Sequence, residues 1–410
     1  MLVEELAAGG AQLIANLNGS PYYRGRLAER EAMLAGRSAG ADCPIVYVNQ
    51  VGGQDELVFD GGSLVFDGLG HLVTRAPQFA EEVRVVDVEL AARTGTEPLV
   101  SLPVTAARPA PPPSRRPAPS PVLGIEAEVY EALVLGTRDY VTKNGFAEVV
   151  IGLSGGIDSS IVAAIAADAL GPDRVHGVLM PSRYSSDHSV SDAEALAVAL
   201  GIEHRTIPIE AAHAGFEAML AGSFAGRDPD LTEENLQSRV RGTVLMALSN
   251  KFGWLVLSTS NKSEAAVGYA TLYGDTVGGY SVIKDVPKLL VYDLCRWRNE
   301  QAVASGATGP VIPDHVLTKP PSAELRPDQR DDQSLPPYEV LVPILEAYVE
   351  NDRTAAQLVA EGFDPALVAR VSRLVDKAEY KRRQSPPGPR VTRKAFGKDR
   401  RLPITNRYAG

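Results

Sequence analysis

The sequence predicts an α/β protein whose larger part is a doubly wound parallel sheet, preceded by a smaller α/β portion. Three observations predict it. From about Val122 onward, short apolar runs rich in β-branched residues alternate with segments of helical periodicity, the pattern of a parallel sheet covered by helices on both faces. Between Ala106 and Pro121 the chain reads "AARPAPPPSRRPAPSP", a composition that cannot pack a core and reads as a linker. Before it, short strand-like runs are separated by Gly, Asn and Asp turns.

In chain order, the first portion offers strands in "AQLIANLN", "PIVYVNQVG", "ELVFDGGSLVFD" and "HLVTRAPQ", with a helix in "GRLAEREAMLAGRSAGA". Beyond the linker come the strand "EVVIGL", a helix from Ser160, the strand "RVHGVLM" and a helix through "VSDAEALAVALG". The strand "EHRTIPI", a helix around "NLQSRVRGTVLMALSNKFG" and the strand "WLVLST" follow. In such a sheet a ligand belongs at the carboxyl ends of the strands. No internal repeat is visible.

Length and composition bound the function. A chain of 410 residues, 44% hydrophobic, is long enough for two or three domains with buried cores. Its net charge of −10 argues against nucleic acid as the main partner. Cys43 and Cys295 make no disulfide framework and sit in no metal-ligand spacing, which fits a reducing cytoplasm. Cys43 stands just before an apolar strand and reads as a small buried thiol. The sequence shows neither a signal peptide nor an apolar run long enough for a membrane span.

The chemistry concentrates at "LSGGIDSS", residues 153–160, between an apolar strand and an alanine-rich helix. A strand-to-helix turn exposes the unpaired N–H groups of the helix's first turn, and glycines let an anion approach the backbone. Gly155 and Gly156 either make a tight connection capped by Ser154 or Asp158, or cradle phosphate. Asp158 points to the second reading with a Mg²⁺ between acid and phosphate. The turn lacks the lysine of the common nucleoside-triphosphate loop.

Other strand ends add polar groups. "STSNKSEAAVGYATLYGD" carries Thr259, Glu264 and Asp275; Glu264 either completes a Mg²⁺ site with Asp158 or complements its helix N-terminus. In "ENLQSRVRG", Asn235, Arg239 and Arg241 lie on a helix, where arginines either clamp phosphate or carboxylate or form a solvated face. Lys284 and Lys288 in "SVIKDVPKLL" carry the same two readings. The basic C-terminal stretch "EYKRRQSPPGPRVTRKAFGKDRRLPITNRY" is either a solvated tail or an anion-binding flap, and "KPPSAELRPDQRDDQS" reads as a mobile loop near the site.

Taken together and in order, "SGGIDSS", "ENLQSRVRG", "STSNKSE", "YGDTVGGYSVIKDVPK", "KPPSAEL", "SLPPY" and "EYKRRQSPPG…ITNRY" resemble the synthetase domain of glutamine-dependent NAD⁺ synthetases. The first motif is shared by ATP pyrophosphatases at large; the set is specific. The resemblance implies the ATP pyrophosphatase fold, Rossmann-like and of the adenine nucleotide alpha hydrolase type. It also implies a reaction in which the carboxylate of deamido-NAD⁺ attacks the α-phosphorus of ATP. Pyrophosphate leaves, and ammonia then displaces AMP from the acyl-adenylate.

Carried onto this sequence, the resemblance implies that Ser154, Gly155, Gly156, Asp158 and Ser159 hold the ATP phosphates. Asp158 and Glu264 are the implied Mg²⁺ ligands, with Thr259 and Lys288 beside the ATP, Ser322 on the pyrophosphate side and Lys381 on a closing C-terminal segment. Asp275 would contact the dinucleotide or ammonia. Asn235 and Arg239 would bind deamido-NAD⁺ at a site completed by a second subunit, so at least a homodimer is expected.

The stretch from "NLNGSPYYRG" to "GGSLVF" resembles the later half of that family's nitrilase-like glutaminase, an α/β sandwich. The Cys, Glu and Lys of that chemistry lie upstream of "LNGSPY" in the family. The resulting expectation is a truncated glutaminase portion over residues 1–105 lacking its catalytic residues, a linker over 106–121 and a synthetase domain over 122–410, using ammonia. Two other readings stand beside the NAD⁺-forming ligase: an ATP pyrophosphatase-type ligase with another acceptor, and a non-catalytic subunit that docks on an ammonia-supplying partner.

Overall fold

The structure, a computed structural model, describes residues 2–92 and 117–405. Most of the expected linker therefore lies outside the described residues; 117–121 have no regular structure. Contacts divide the chain into two units, Met1–Gly52 with Val58–Glu128, and Gly53–Leu57 with Val129–Gly410.

The first unit begins with α1 (Leu2–Ala8), β1 (Ile14–Asn18), α2 (Arg26–Ala41) and β2 (Ile45–Asn49). The short strands β3 (Val51–Gln54), β4 (Leu57–Asp60), β5 (Leu64–Phe66) and β6 (Leu72–Arg75) follow. Its main sheet runs β1-β2-β5-β6, with β1 parallel to β2 and the other pairs antiparallel. Leu27, Leu34 and Ala41 recur at seven-residue spacing along α2 and pack on Ile45, Tyr47, Leu64 and Phe66. Arg30 shares that buried face because Asp60 meets its guanidinium at 2.9 and 3.3 Å, with Asn49 donating to the same carboxylate at 3.2 Å. Cys43 is fully buried in this core.

The second unit carries α3 (Ile125–Lys143) from Val129 onward, β7 (Val149–Gly152), α4 (Ile157–Leu170), β8 (Val175–Leu179), α5 (Asp187–Leu200) and β9 (Glu203–Thr206). Then come α6 (Glu210–Leu220), α7 (Leu231–Phe252), β10 (Leu255–Ser258), α8 (Lys262–Val267), β11 (Tyr280–Ser281) and α9 (Lys288–Ala304). The five strands form one parallel sheet ordered β11-β10-β7-β8-β9. The chain winds outward from β7 through β8 to β9, then returns to place β10 on the other side of β7. The crevice between the carboxyl ends of β7 and β10 is therefore the topological switch point.

α4 starts at Ile157, three residues before the expected Ser160, because Gly156 with extended dihedrals ends the turn and brings Asp158 into the first helical turn. That helix is buried nearly all round, which is why its alanines recur without a polar face. α7 opens on a reciprocal cap between Asp230 and Glu233 and stops at Gly253 in the left-handed conformation. α10 (Asp314–Thr318), α11 (Tyr338–Leu345), α12 (Ala355–Ala360), α13 (Pro365–Lys377) and α14 (Glu379–Arg382) complete the unit. Leu341, Leu358, Val368 and Val371 from these helices pack against Ala266 and Val267 of α8. Lys262, the first residue of α8, is buried with its ammonium 2.8 Å from Glu350, 3.0 Å from Asp285 and 2.5 Å from Thr392 Oγ1. Among the described residues no helix is long and apolar enough to cross a membrane.

Candidate active site

A cleft of about 860 Å³ opens in the second unit at the carboxyl ends of β7, β8 and β10. Its floor is the turn after β7. Gly155 has φ +72°, and a β-carbon there would lie 2.1 Å from the carbonyl oxygen of Ser189 on α5, so only glycine fits. Within the turn the Gly156 N–H donates to Ser154 Oγ at 3.2 Å, and the Ser154 and Ser159 hydroxyls are 3.1 Å apart. Ser154, Gly156, Asp158 and Ser159 line the cleft.

From the neighbouring strand, β10, the chain enters α8 through Asn261, its N-cap. Asn261 is fully buried, accepts from the Glu264 N–H at 3.0 Å and donates to Asp158 at 2.9 Å. One amide thus ties the Asp158 carboxylate to the backbone of Glu264 across the switch point. Between them lies Lys288, at the start of α9, whose ammonium bonds Asp158 and lies 3.2 Å from Glu264 Oε1. Burial pushes Glu264 up to about 8, against the pull of Lys288, with Asp158 and Asp331 adding to the rise. Burial alone would depress Lys288, but Asp158 and Glu264 outweigh it and hold it protonated. Three carboxyl groups, those of Asp158, Glu264 and Asp331, thus surround one ammonium, and burial keeps Glu264 reluctant to ionise.

The expected Asp158/Glu264 pair is brought together, with the qualification that Lys288 occupies the position between them, whereas the sequence placed it only beside the phosphates. Thr259 and Ser322 also line the cleft. Ser322 donates to the Gln329 carbonyl at 2.6 Å and so shapes its own loop.

A second group gathers on residues 268–275. Asp275 accepts from the Thr271 N–H at 2.8 Å, and Thr271 Oγ1 donates to Asn235 at 2.7 Å. Lys381 bonds the carbonyls of Gly268 and Ala270 at 2.8 and 2.7 Å, and Arg239 reaches Leu272 O at 3.2 Å. Burial raises Asp275 to about 6, opposed by the Thr271 N–H and by Lys381. Asp275 lines the cleft, whereas Asn235, Arg239 and Lys381 do not; Arg239 is on the exposed face of α7.

Sequence reasoning missed Asn261 as a link and Glu324 as an anchor. The side-chain cap of Asn261 was legible from "NKSE", but its bond to Asp158, 103 positions away, was not. Glu324 accepts from Ser186 Oγ and Ser189 Oγ, both at 2.7 Å, and Lys319 lies 3.0 Å from Asp192. The polar, proline-rich loop is fastened to α5 by these contacts.

Strand order, glycine turn and neighbouring acids at the switch point are those of an ATP pyrophosphatase-type α/β domain. The NAD synthase family model matches residues 129–385, and the carbon-nitrogen hydrolase model matches residues 2–97. The chain is 48% identical to a glutamine-dependent NAD(+) synthetase of Thermotoga maritima over 97% of its own length and 71% of the relative's. It is 49% identical to one of Rhodobacter capsulatus over 98% and 70%. Among solved structures, glutamine-dependent NAD⁺ synthetase from Acinetobacter baumannii, in complex with adenosine diphosphate, is 42% identical with a TM-score of 0.66, covering all of this chain and 70% of that one. The chain belongs to the glutamine-dependent NAD(+) synthetase family. The match shows nitrilase-like kinship for residues 2–97 and lends no support to the expectation that this portion is truncated.

Proposed function

We propose that this chain is the ligase that amidates deamido-NAD⁺ to NAD⁺, with ATP as co-substrate and nitrogen drawn from glutamine as ammonia. The observation that carries the reading is the switch-point site, where the glycine turn after β7 lies beside Asp158 and Glu264, whose carboxylates meet at the ammonium of Lys288.

The reading assigns the residues as follows. Ser154, Gly155, Gly156 and Ser159 present backbone and hydroxyl donors to the ATP phosphates. Asp158 and Glu264 fit a Mg²⁺ ion, because both carboxylates already meet at one cation, the Lys288 ammonium, and a divalent ion there would favour ionised Glu264 against its burial. Among the described residues no cluster of three or more acidic, His or Cys side chains could hold an ion, so two carboxylates would share it with phosphate oxygens, a usual arrangement for Mg²⁺. The bound ion would offset charge on the departing pyrophosphate.

Lys288 supplies a fixed ammonium at the same point, Thr259 and Ser322 flank the nucleotide, and Asp275 faces the dinucleotide or the incoming ammonia. Asn235 and Arg239 bind deamido-NAD⁺ for a neighbouring copy, since Arg239 is turned to the outer face of α7, and Lys381 holds the loop that carries Asp275. The reading therefore includes association of at least two copies. It keeps the division into a glutaminase portion to residue 105, a linker over 106–121 and a synthetase domain from 122.

The test is NAD⁺ formation from deamido-NAD⁺, ATP and Mg²⁺, run with ammonium and with glutamine. AMP appearing in step with NAD⁺ is expected in the ammonium arm; no AMP there sinks the reading. The glutamine arm reports whether this chain releases ammonia itself.

A further inference from the structure

Arg241 lines the cleft wall but belongs to neither group of site residues described above. Its Nε donates to the Met180 carbonyl, just past β8, at 3.1 Å. Its two terminal nitrogens have no hydrogen bond or ion pair within the described residues. Burial pulls its pKa down to about 10, and among the described residues Glu324 is the charge that opposes this. Glu324 is already engaged by Ser186 and Ser189. An arginine packed this way, with half its donor fork open to a cleft, is a charge waiting for an oxyanion.

Its neighbours indicate which oxyanion. Leu245 is one helical turn along the same face of α7, and a β-carbon on Gly152 would lie 3.5 Å from Leu245 and 3.2 Å from Met180. Gly152 is the last residue of β7, immediately before the phosphate turn. Because α7 leads into the parallel strand β10, it runs against the sheet, and its residues N-terminal to Leu245 lie toward the carboxyl edge. Arg241 thus lies toward the carboxyl edge of β7 and β8, in the wall of the same cleft as the glycine turn.

We infer that Arg241 is a substrate-binding residue that takes phosphoryl oxygens of the adenine nucleotide, an inference resting on the ligase reading above. Its fixed fork would hold the phosphoryl group from the β8 side while the backbone donors of the turn hold it from the β7 side. Charge would then be gripped from two directions as the leaving group departs.

The test is calorimetric titration of the full chain and of Arg241→Met and Arg241→Lys with ADP, AMP, adenosine and deamido-NAD⁺. Arg241→Met should bind ADP and AMP at least tenfold more weakly than the parent, with adenosine unaffected, and Arg241→Lys should fall between. Thermal melting checks folding, and if Arg241→Met does not fold, the comparison rests on Arg241→Lys, with at least threefold weaker ADP binding expected. Affinity for ADP within twofold of the parent overturns the inference. So does weakening confined to deamido-NAD⁺, which would make the partner a carboxylate, or a parent chain that binds no ADP. Binding needs no turnover, so a parent that binds ADP in this way yet forms no NAD⁺ would overturn the ligase reading and leave Arg241 as assigned.

Discussion

Gly155 passes so close to Ser189 that a β-carbon on the glycine would lie 2.1 Å from the serine's carbonyl oxygen. The glycine turn and the start of α5 are therefore packed as one piece. Gly155→Ala should destabilise the second unit by roughly 1–3 kcal/mol, through strain at positive φ plus displaced backbone. Denaturant unfolding checks the stability, and ADP titration should show weakened binding; an alanine variant matching the parent in both would mean that the turn yields more than its packing suggests.

Removing the ammonium between Asp158 and Glu264 leaves acids facing one another in a buried pocket. Lys288→Met should lower stability by about 3–5 kcal/mol, the usual penalty for stripping a partner from a buried ion pair, and should abolish NAD⁺ formation. Melting curves taken with and without Mg²⁺ provide the measurement. A larger rise in melting temperature with Mg²⁺ for the variant than for the parent is expected if both carboxylates accept the ion.

Asp275 gives stability a pH signature. With its pKa raised to about 6 by burial, the folded chain still holds a proton between roughly pH 4 and 6 that the unfolded chain has released. The folded state binds more protons there, so this group makes stability fall as pH rises through the window, by ~3 kcal/mol across it. Asp275→Asn should flatten that slope in unfolding experiments at pH 4, 5 and 6; an unchanged slope would place the titration elsewhere.

In the first unit, Arg30 and Asp60 form a fully buried pair, and Asp60 also serves Asn49. Asp60→Ala leaves the guanidinium unpaired and should cost about 3–5 kcal/mol. Hydrogen exchange should quicken in α2 and in β2, whose packing the pair fixes, while α4 and β7 keep their protection.

Much of this architecture is legible in the sequence because its signals are local. "EVVIGL" followed by "SGGIDSS" announces a strand, a turn and a helix within fourteen residues, and the β-branched runs mark the remaining strands. The helix start was misplaced because Asp158, Ser159 and Ser160 look like loop residues although they occupy a first helical turn, where acids and hydroxyls are favoured. Asn261 joining Asp158, Lys288 bridging two acids and Arg241 beneath Met180 are contacts between distant positions. Such contacts follow from the order of the strands, which periodicity does not encode.

The buried ammonium of Lys262 has a consequence for biosynthesis. Its partners Asp285, Glu350 and Thr392 are spread over more than a hundred later residues, and Asp285 itself accepts from the Val391 and Thr392 N–H groups. While the ribosome is still translating that stretch, Lys262 has no buried place to go, and α8 cannot settle with Asn261 and Glu264 in position. The nascent chain can complete its central strands early, but the ammonium of Lys262 is enclosed only after residues 391–394 have emerged.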